Sequence, residues 1–285
     1  MLAGLIRLAR PKDWLKNVFV IMPLPFALAA GASLDAVPFL LGLLAMCLAS
    51  SATYALNDTR DAEADRSNPR KRDRPVAAGV VPPRVALVFA AVLAAAALEL
   101  AFATGRPLAS VLIVVYLAAN LVYSLGGKNV PLFDVFLLSS GYVLRVFLGC
   151  ALLAVAASNW LLLCSSTLAL FMALTKRRGD LLDGVDPEHR PSLRGYNMQF
   201  LDQAMGITAG TALVSYALYS IEADVFVPGR EFASLPFVAF VILDYLRIAH
   251  TEGEGASPVD LVFRPAFVLA GAGWAVAAGW SLGIY

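Results

Sequence analysis

Charge and cysteine are both scarce in this chain of 285 residues. Only 15% of the residues are charged, whereas soluble domains carry about a quarter. The net charge of +1 gives no overall case for nucleic-acid binding. The three cysteines, Cys47, Cys150 and Cys164, lie in apolar runs and have neither metal-ligand spacing nor a paired framework. The sequence therefore argues against a soluble domain, a nucleic-acid-binding protein and a disulfide scaffold.

Apolar sequence is abundant instead, with 59% hydrophobic residues and a mean hydropathy of +0.72. Segments long enough to cross a bilayer are predicted at 17–34, 37–56, 84–104, 108–125, 132–153, 158–175, 200–220, 232–249 and 265–284. We therefore predict an all-α, polytopic membrane protein, with one domain over 1–285 and a bundle of nine transmembrane helices. Residues 2–12 alternate apolar and basic side chains, which predicts an amphipathic surface helix rather than a cleavable signal.

The basic residues are distributed unevenly between the two sides of this predicted bundle. Nineteen of the 22 lysines and arginines fall on one side, and the positive-inside rule assigns that side to the cytoplasm. The N-terminus is thus predicted inside and the C-terminus outside. Two polar loops, which we call the first polar loop (57–83) and the second polar loop (176–198), lie on the cytoplasmic side and hold most of the candidate residues.

Three aspartates follow the second predicted span at positions i, i+3 and i+7: Asp58, Asp61 and Asp65. This spacing predicts one helical face, and a row of carboxylates at a membrane edge repels itself unless a cation binds it. The amide oxygen of Asn57 is a further candidate ligand. Hard oxygen ligands suit Mg²⁺, which shares its coordination with substrate phosphates. We therefore predict magnesium-dependent catalysis on a diphosphate, the alternative being a solvated loop that only sets topology.

Cations beside both loops supply candidate phosphate ligands. The second polar loop opens with three consecutive cations, which a basic topology signal would also explain. Its other candidates are Asp180 and Asp183 as ligands of a second metal, His189 as a proton donor, and Arg190 and Tyr196.

Arg145 lies inside the fifth predicted span, where a charge is costly and usually faces a polar cavity. We interpret it as an anion-binding residue, the alternative being a structural pair with Glu99.

The N-D-x-x-D-x-x-x-D loop after the second span resembles the UbiA superfamily of intramembrane prenyltransferases. Further segments that resemble this superfamily are 10–17, 57–79, 123–131, 140–145 and 176–178. Aromatic prenyltransferases of the superfamily are acidic in the second loop, whereas this chain is basic there. That loop and residues 141–145 point to the branch that transfers phosphoribosyl groups to decaprenyl phosphate. Asp180 stands where that branch carries glutamate.

The resemblance implies Mg²⁺-dependent transfer of 5-phosphoribosyl from phosphoribosyl pyrophosphate to a polyprenyl phosphate, with release of pyrophosphate. It also implies a role in arabinan cell-wall precursor synthesis, at the cytoplasmic face of a bacterial inner membrane. The residues then expected to bind the donor phosphates are Tyr54, Lys71, Arg72, Arg74, Lys176, Arg177 and Arg178. Those expected to bind the lipid phosphate are Lys16, Asn17, Lys128 and Arg145.

Two other functions remain open from the sequence. A UbiA-type enzyme that moves a prenyl group from its diphosphate to an aromatic acceptor would use the same first polar loop. A transporter of a phosphorylated lipid would need polar residues that continue to the outer face, but the charges cluster at the cytoplasmic ends. The sequence leaves the oligomeric state open, a homo-oligomer included.

Overall fold

A computed structural model of the chain describes residues 1–68, 71–185, 188, 190–251 and 258–284. All regular secondary structure in these ranges is helical. The α-helices are α1 Leu2–Ala9, α2 Val18–Ile21, α3 Leu24–Ala29, α4 Ala36–Arg60, α5 Ala62–Ser67, α6 Pro83–Ala103, α7 Pro107–Leu125, α8 Phe133–Leu152, α9 Asn159–Leu182, α10 Met198–Glu222, α11 Leu235–Thr251, α12 Pro258–Leu261 and α13 Pro265–Ser281. Short 3-10 segments span Pro11–Asn17, Gly127–Asn129 and Pro191–Gly195.

Six of the described helices, α4 and α6 to α10, are long and apolar enough to cross a membrane, and α13 is a shorter apolar helix. The predicted multi-pass helical architecture is therefore confirmed, while the count of nine spans stays a prediction. The first predicted span, 17–34, is not one helix but the short helices α2 and α3. Pro23 and Pro25 account for the break, because proline lacks the backbone N–H and its ring clashes with the preceding turn.

Two apolar cores fill the bundle, and α8 contributes to both. One core joins α8 to α2, α4, α6 and α7, with Met46, Ile113 and Leu148 fully buried. The other joins α8 to α9, α10 and α11, with Phe171 among its fully buried members. At Gly149 the backbone of α2 comes so close that a Cβ atom would lie 2.1 Å from a carbonyl oxygen. Polar side chains near the ends of α8 can therefore meet residues from both halves of the molecule.

Both polar loops begin later than the sequence predicted, because the helices continue into the charged residues. Helix α4 runs to Arg60 and α9 to Leu182, so Lys176 and Asp180 lie on a helix rather than in a loop. Lysine and arginine favour helices, and ion pairs neutralise these charges. The three aspartates do not share one continuous helix, because the chain breaks at Asp61 (φ −91°, ψ 3°) before α5 begins.

Helix α1 lies against the first polar loop. Leu8 is fully buried in a small core with side chains of α4, α6 and the loop, and Gly4 lies close to Val81. Leu2 and Ile6 remain 74% and 55% exposed on another side of the helix. The predicted amphipathic helix is therefore present, and it is attached to the part of the chain that carries the aspartates.

Candidate active site

A cavity of about 460 Å³ lies at the ends of α4, α7 and α9 and beside the first half of α8, where the two polar loops meet. Its lining holds twice as many cations as carboxylates. The cations are Arg10, Lys16, Lys71, Arg74, Lys128, Arg145, Lys176 and Arg190, and the carboxylates are Asp61, Asp65, Asp180 and Glu188. Such an excess of positive charge in a concave site favours an anionic ligand.

Two of the three predicted aspartates face this cavity. Asp61, at the helix break, accepts a hydrogen bond from Lys128 Nζ, and Asp65 accepts one from Arg74 Nη1 at 2.8 Å. Burial raises the pKa of the Asp65 carboxyl, and the charge of Arg74 opposes that shift. The predicted ligand Asn57 also lines the cavity. Three oxygen-bearing side chains of the first polar loop therefore share one space.

Asp58 does not lie in that space. Its side chain is 1% exposed and is not part of the cavity lining. Both carboxylate oxygens accept from Arg10 Nη2, at 2.6 and 2.9 Å, and Oδ1 also accepts from Arg74 Nη1 at 3.0 Å. The prediction that Asp58 joins the metal ligands is not supported by its position, because two guanidinium groups occupy its oxygens.

The donor chemistry of the cavity fits a magnesium ion only in part. Within the described ranges, no three histidine, cysteine, aspartate or glutamate side chains are grouped closely enough to hold a metal. Mg²⁺, however, is usually bound by one or two carboxylates together with waters and substrate phosphates. Asn57, Asp61 and Asp65 thus suit an ion whose coordination is completed by a phosphate-bearing ligand, and they do not suit an all-protein cage.

Arg145 is a buried cation at the inner end of the cavity, and it is 4% exposed. Its hydrogen-bond partners are Asn17 Oδ1 (2.7 Å), Gly141 O (2.7 Å), Ser50 Oγ (2.9 Å) and Tyr116 OH (3.1 Å). All four are uncharged, and no carboxylate of the described chain pairs with it, so the alternative of a structural ion pair is wrong. A buried cation that lines a cavity without a counter-ion is suited to bind an anion from outside.

Of the two residues predicted to bind the lipid phosphate from the start of the first span, Lys16 lines the cavity and Asn17 does not. Asn17 is 1% exposed and lies outside the cavity lining. It accepts from Arg145 Nε and donates to Cys47 Sγ at 3.1 Å, so it orients the arginine rather than contacting a ligand. Lys16 does line the cavity, bonded to Asp13 at 2.6 Å and lying 5.5 Å from the ring centre of Tyr54.

A second group of cations faces the cavity from the second polar loop and its surroundings. Lys176 is exposed towards the cavity, and neither it nor Lys71 forms a salt bridge within the described part of the chain. Burial lowers the pKa of Lys71, and the charges of Arg74 and Arg190 lower it further. Arg190 donates to Tyr123 OH at 2.7 Å, and its buried Nε atom has no hydrogen-bond partner among the described residues.

Two of the three consecutive cations of α9 are structural. Arg177 is fully buried and donates to Asp134 at 2.6 Å and to Asp180 at 2.6 Å. Arg178 donates to Asp202 at 2.6 Å and to the carbonyl of Ala249 at 2.6 Å. Neither arginine lines the cavity. The predicted phosphate role is thus unsupported for both, because successive residues of a helix point about 100° apart and only Lys176 faces the cavity.

The remaining candidates also lie away from the cavity or outside the described residues. Tyr196 is buried and donates to Asp134 at 2.5 Å, and burial together with this bond raises its pKa. Arg72 and Asp183 are not in the cavity lining, and His189 lies outside the described residues. The second-metal role predicted for Asp183 is therefore unsupported, and Asp180 is already paired with Arg177.

The polar cavity residues that the sequence-based site prediction missed include Arg10, Tyr116, Asn120 and Tyr123. The last three follow each other at i, i+4 and i+7 along α7, and such residues form one stripe of a helix. A polar stripe on an otherwise apolar span is the signal that could have identified them. Arg10 lacked such a signal, because its contact with Asp58 joins positions 48 residues apart.

The chain is similar to known proteins over most of its length. The model of the UbiA prenyltransferase family matches residues 17–248. The decaprenyl-phosphate phosphoribosyltransferase of Corynebacterium glutamicum is 35% identical over 268 residues, which cover 90% of this chain and 80% of that protein. The protein of the same name from Mycobacterium tuberculosis is 35% identical, with coverage of 93% and 89%.

Solved structures share the fold at lower sequence identity. A UbiA homolog from Archaeoglobus fulgidus bound to DMAPP and Mg²⁺ superposes with a TM-score of 0.74 at 17% identity, covering 99% of this chain and 100% of that one. The similarity at this identity concerns the fold. Together with the family match over most of the chain, it shows that this protein belongs to the UbiA prenyltransferase family.

Proposed function

We propose that this protein transfers the 5-phosphoribosyl group of phosphoribosyl pyrophosphate to a polyprenyl phosphate of the decaprenyl type, with release of pyrophosphate. The observation that carries the proposal is the presence of two cation groups in one cavity. Arg145 and Lys16 form one group, and Lys71, Lys176 and Arg190 form the other. The names of the relatives that are 35% identical support the same activity.

The number of phosphate groups distinguishes this reaction from aromatic prenylation. Phosphoribosyl pyrophosphate brings a 5-phosphate and a diphosphate, and the lipid acceptor brings a further phosphate. A prenyl diphosphate with an aromatic acceptor would bring one diphosphate and no further phosphate. Two separate groups of cations, beside the oxygen ligands of the first polar loop, match the larger set of anions.

Mg²⁺ is the proposed cofactor, and Asn57, Asp61 and Asp65 are the residues that would hold it. When bound with the donor, the ion would neutralise the charge that develops on the diphosphate leaving group. Lys71 and Lys176 would donate hydrogen bonds to the donor phosphates from the opposite loop. Arg74, between Asp58 and Asp65, would add a guanidinium at the same wall of the cavity.

The acceptor phosphate would bind to Arg145, Lys16 and Lys128. One of its oxygens forms the new bond to C1 of the ribose while the bond from C1 to the diphosphate breaks, and the electron pair of that bond leaves with pyrophosphate. Because the second pKa of a phosphate monoester is about 6, the acceptor is already ionised at neutral pH. Among the described residues that line the cavity, no histidine pairs with a carboxylate. This lining is consistent with a reaction that needs no strong base.

The proposed location is the inner membrane of a bacterium, with nine spans forming one domain over 1–285. The N-terminus and the cavity would face the cytoplasm and the C-terminus the outside. Both cation groups lie at one end of the bundle, which supports a site open to a soluble donor on that side. The product would serve arabinan cell-wall precursor synthesis.

The test uses purified protein in detergent with Mg²⁺, phosphoribosyl pyrophosphate labelled in the ribose, and decaprenyl phosphate. Label is expected to enter the lipid phase, and EDTA is expected to abolish the transfer. Asp61→Asn should lose the activity, whereas Glu63→Gln, which changes an exposed carboxylate two residues further along the chain, should retain it. Release of pyrophosphate from a prenyl diphosphate with an aromatic acceptor, without transfer of label, would contradict the proposal.

A further inference from the structure

Arg10 adopts a backbone conformation that residues with a side chain rarely take. Its φ and ψ angles are 50° and 61°, in the left-handed region, between the end of α1 and Pro11. Such a conformation is strained and persists only where the surroundings enforce it. Helix α1 is fixed on one side by fully buried Leu8, and Ser51 Oγ donates to the carbonyl of Ala9 at 2.7 Å. The strained residue therefore sits at a well-anchored junction.

The side chain of Arg10 leads into a chain of charges: Arg10, Asp58, Arg74 and Asp65. Asp58 accepts from both guanidinium groups, and Arg74 Nη1 also donates to Asp65 at 2.8 Å. Arg10, Arg74 and Asp65 line the cavity, whereas Asp58 lies behind them. Asp58 accepts hydrogen bonds from both arginines. It is thus the one member of this chain of charges that a ligand in the cavity would not contact.

We infer that Asp58 is a positioning residue, which holds Arg10 and Arg74 at the cavity wall so that their remaining N–H groups bind a phosphate of the donor. A guanidinium has five N–H donors, and towards Asp58 each arginine uses only one terminal nitrogen. Asp58 is not a metal ligand, because two cations already occupy its oxygens and would repel a third. This inference rests on the proposed function for the identity of the donor.

Asp58 and Asp61 belong to the same motif, but substitutions of the two residues should affect different kinetic constants. Asp58→Asn leaves one oxygen acceptor and replaces the other with an amide that repels a guanidinium. We expect the KM for phosphoribosyl pyrophosphate to rise about tenfold or more, with an unchanged Mg²⁺ concentration for half-maximal rate. Asp61→Asn should instead raise that Mg²⁺ concentration or abolish turnover. Arg10→Met should give the phenotype of Asp58→Asn, and Arg10→Lys should recover part of the lost affinity.

Combining the two substitutions tests whether the residues act as one unit. Arg10→Met with Asp58→Asn should be no more impaired than Asp58→Asn alone, because residues of one network are not additive. Additive losses would contradict the inference. If Asp58→Asn does not fold in detergent, the single variants Arg10→Met and Arg10→Lys still decide it, since a purely structural role would not split them by donor KM.

Direct binding experiments keep this inference distinct from the proposed reaction. Inorganic pyrophosphate is the anion probe, and Mn²⁺, followed by electron paramagnetic resonance at saturating pyrophosphate, is the metal probe. Asp58→Asn and Arg10→Met should weaken pyrophosphate binding about tenfold and leave Mn²⁺ binding unchanged, even if phosphoribosyl transfer itself is not observed. Weakened Mn²⁺ binding in Asp58→Asn, equal to that in Asp61→Asn and with normal pyrophosphate affinity, would show that Asp58 is a metal ligand.

Discussion

Arg145→Met is expected to weaken binding of the lipid phosphate without destabilising the protein. The guanidinium is 4% exposed and its partners are all neutral, namely Asn17, Gly141, Ser50 and Tyr116. A buried charge without a counter-ion carries a desolvation penalty of about several kcal/mol. Methionine is a flexible apolar side chain that removes this penalty, so the cost of leaving the neutral partners unsatisfied is offset.

The expected loss of binding follows from the hydrogen bonds that a phosphate would receive. A hydrogen bond to a charged group contributes about 1.5–3 kcal/mol, and each 1.4 kcal/mol corresponds to about tenfold in affinity. The loss of one such bond should raise the KM for decaprenyl phosphate by about 10- to 150-fold. Arg145→Lys keeps the charge but loses the forked contact to Ser50 and Tyr116, so its KM should lie between those of the wild type and Arg145→Met.

The assay measures label transfer at saturating phosphoribosyl pyrophosphate over a range of decaprenyl phosphate concentrations, together with the thermal midpoint in the same detergent. Arg84→Met, which removes an exposed cation at the start of α6 outside the cavity, is the control and should change neither quantity. The reasoning is refuted if Arg145→Met has a normal KM. It is also refuted if the variant melts well below the wild type and loses activity only in proportion to unfolding.

Two further predictions concern a structural pair and a titrating lysine. Asp134→Asn breaks one of the two ion pairs of buried Arg177 and leaves the other, with Asp180. This change should cost about 1–3 kcal/mol and lower the thermal midpoint, whereas Asp244→Asn, in a more exposed pair, should not. Lys71 binds an anion only when charged, and its lowered pKa moves the loss of charge below the ordinary value of 10.5. The KM for phosphoribosyl pyrophosphate should therefore rise as the pH increases towards that value, and Lys71→Arg should make this rise smaller. An identical pH profile in both proteins would contradict the assignment.

The sequence was sufficient to predict the helical membrane architecture and the region of the site. Long apolar runs are nearly independent of tertiary context, and carboxylates placed at a membrane edge point to a polar cavity. The break at Asp61 was not predictable, because residues 57–67 contain neither glycine nor proline. That break turns Asp61 and Asp65 towards the cavity and leaves Asp58 behind it, so the three carboxylates take different roles despite their regular spacing.

Assigning partners to neighbouring cations also required the structure. Lys176, Arg177 and Arg178 carry the same charge in sequence, and their roles depend on what each helix face meets. Asp134 on α8 pairs with Arg177, and Asp202 on α10 pairs with Arg178. These contacts join positions 43 and 24 residues apart, so they depend on how the helices pack. No local pattern distinguishes the lysine that faces the cavity from the two arginines that do not.

The functional proposal rests on a different set of cations from the one that the sequence suggested. Of the three consecutive charges that suggested a donor with an additional phosphate, two are neutralised by carboxylates within the protein. The charge that faces the cavity comes instead from Lys176, Lys71 and Arg190. Lys176 and Lys71 have no salt-bridge partner in the described part of the chain, so both can contact an anionic ligand. A donor with an additional phosphate offers an anion to these cations as well as a diphosphate to the first polar loop, which favours phosphoribosyl pyrophosphate over a prenyl diphosphate.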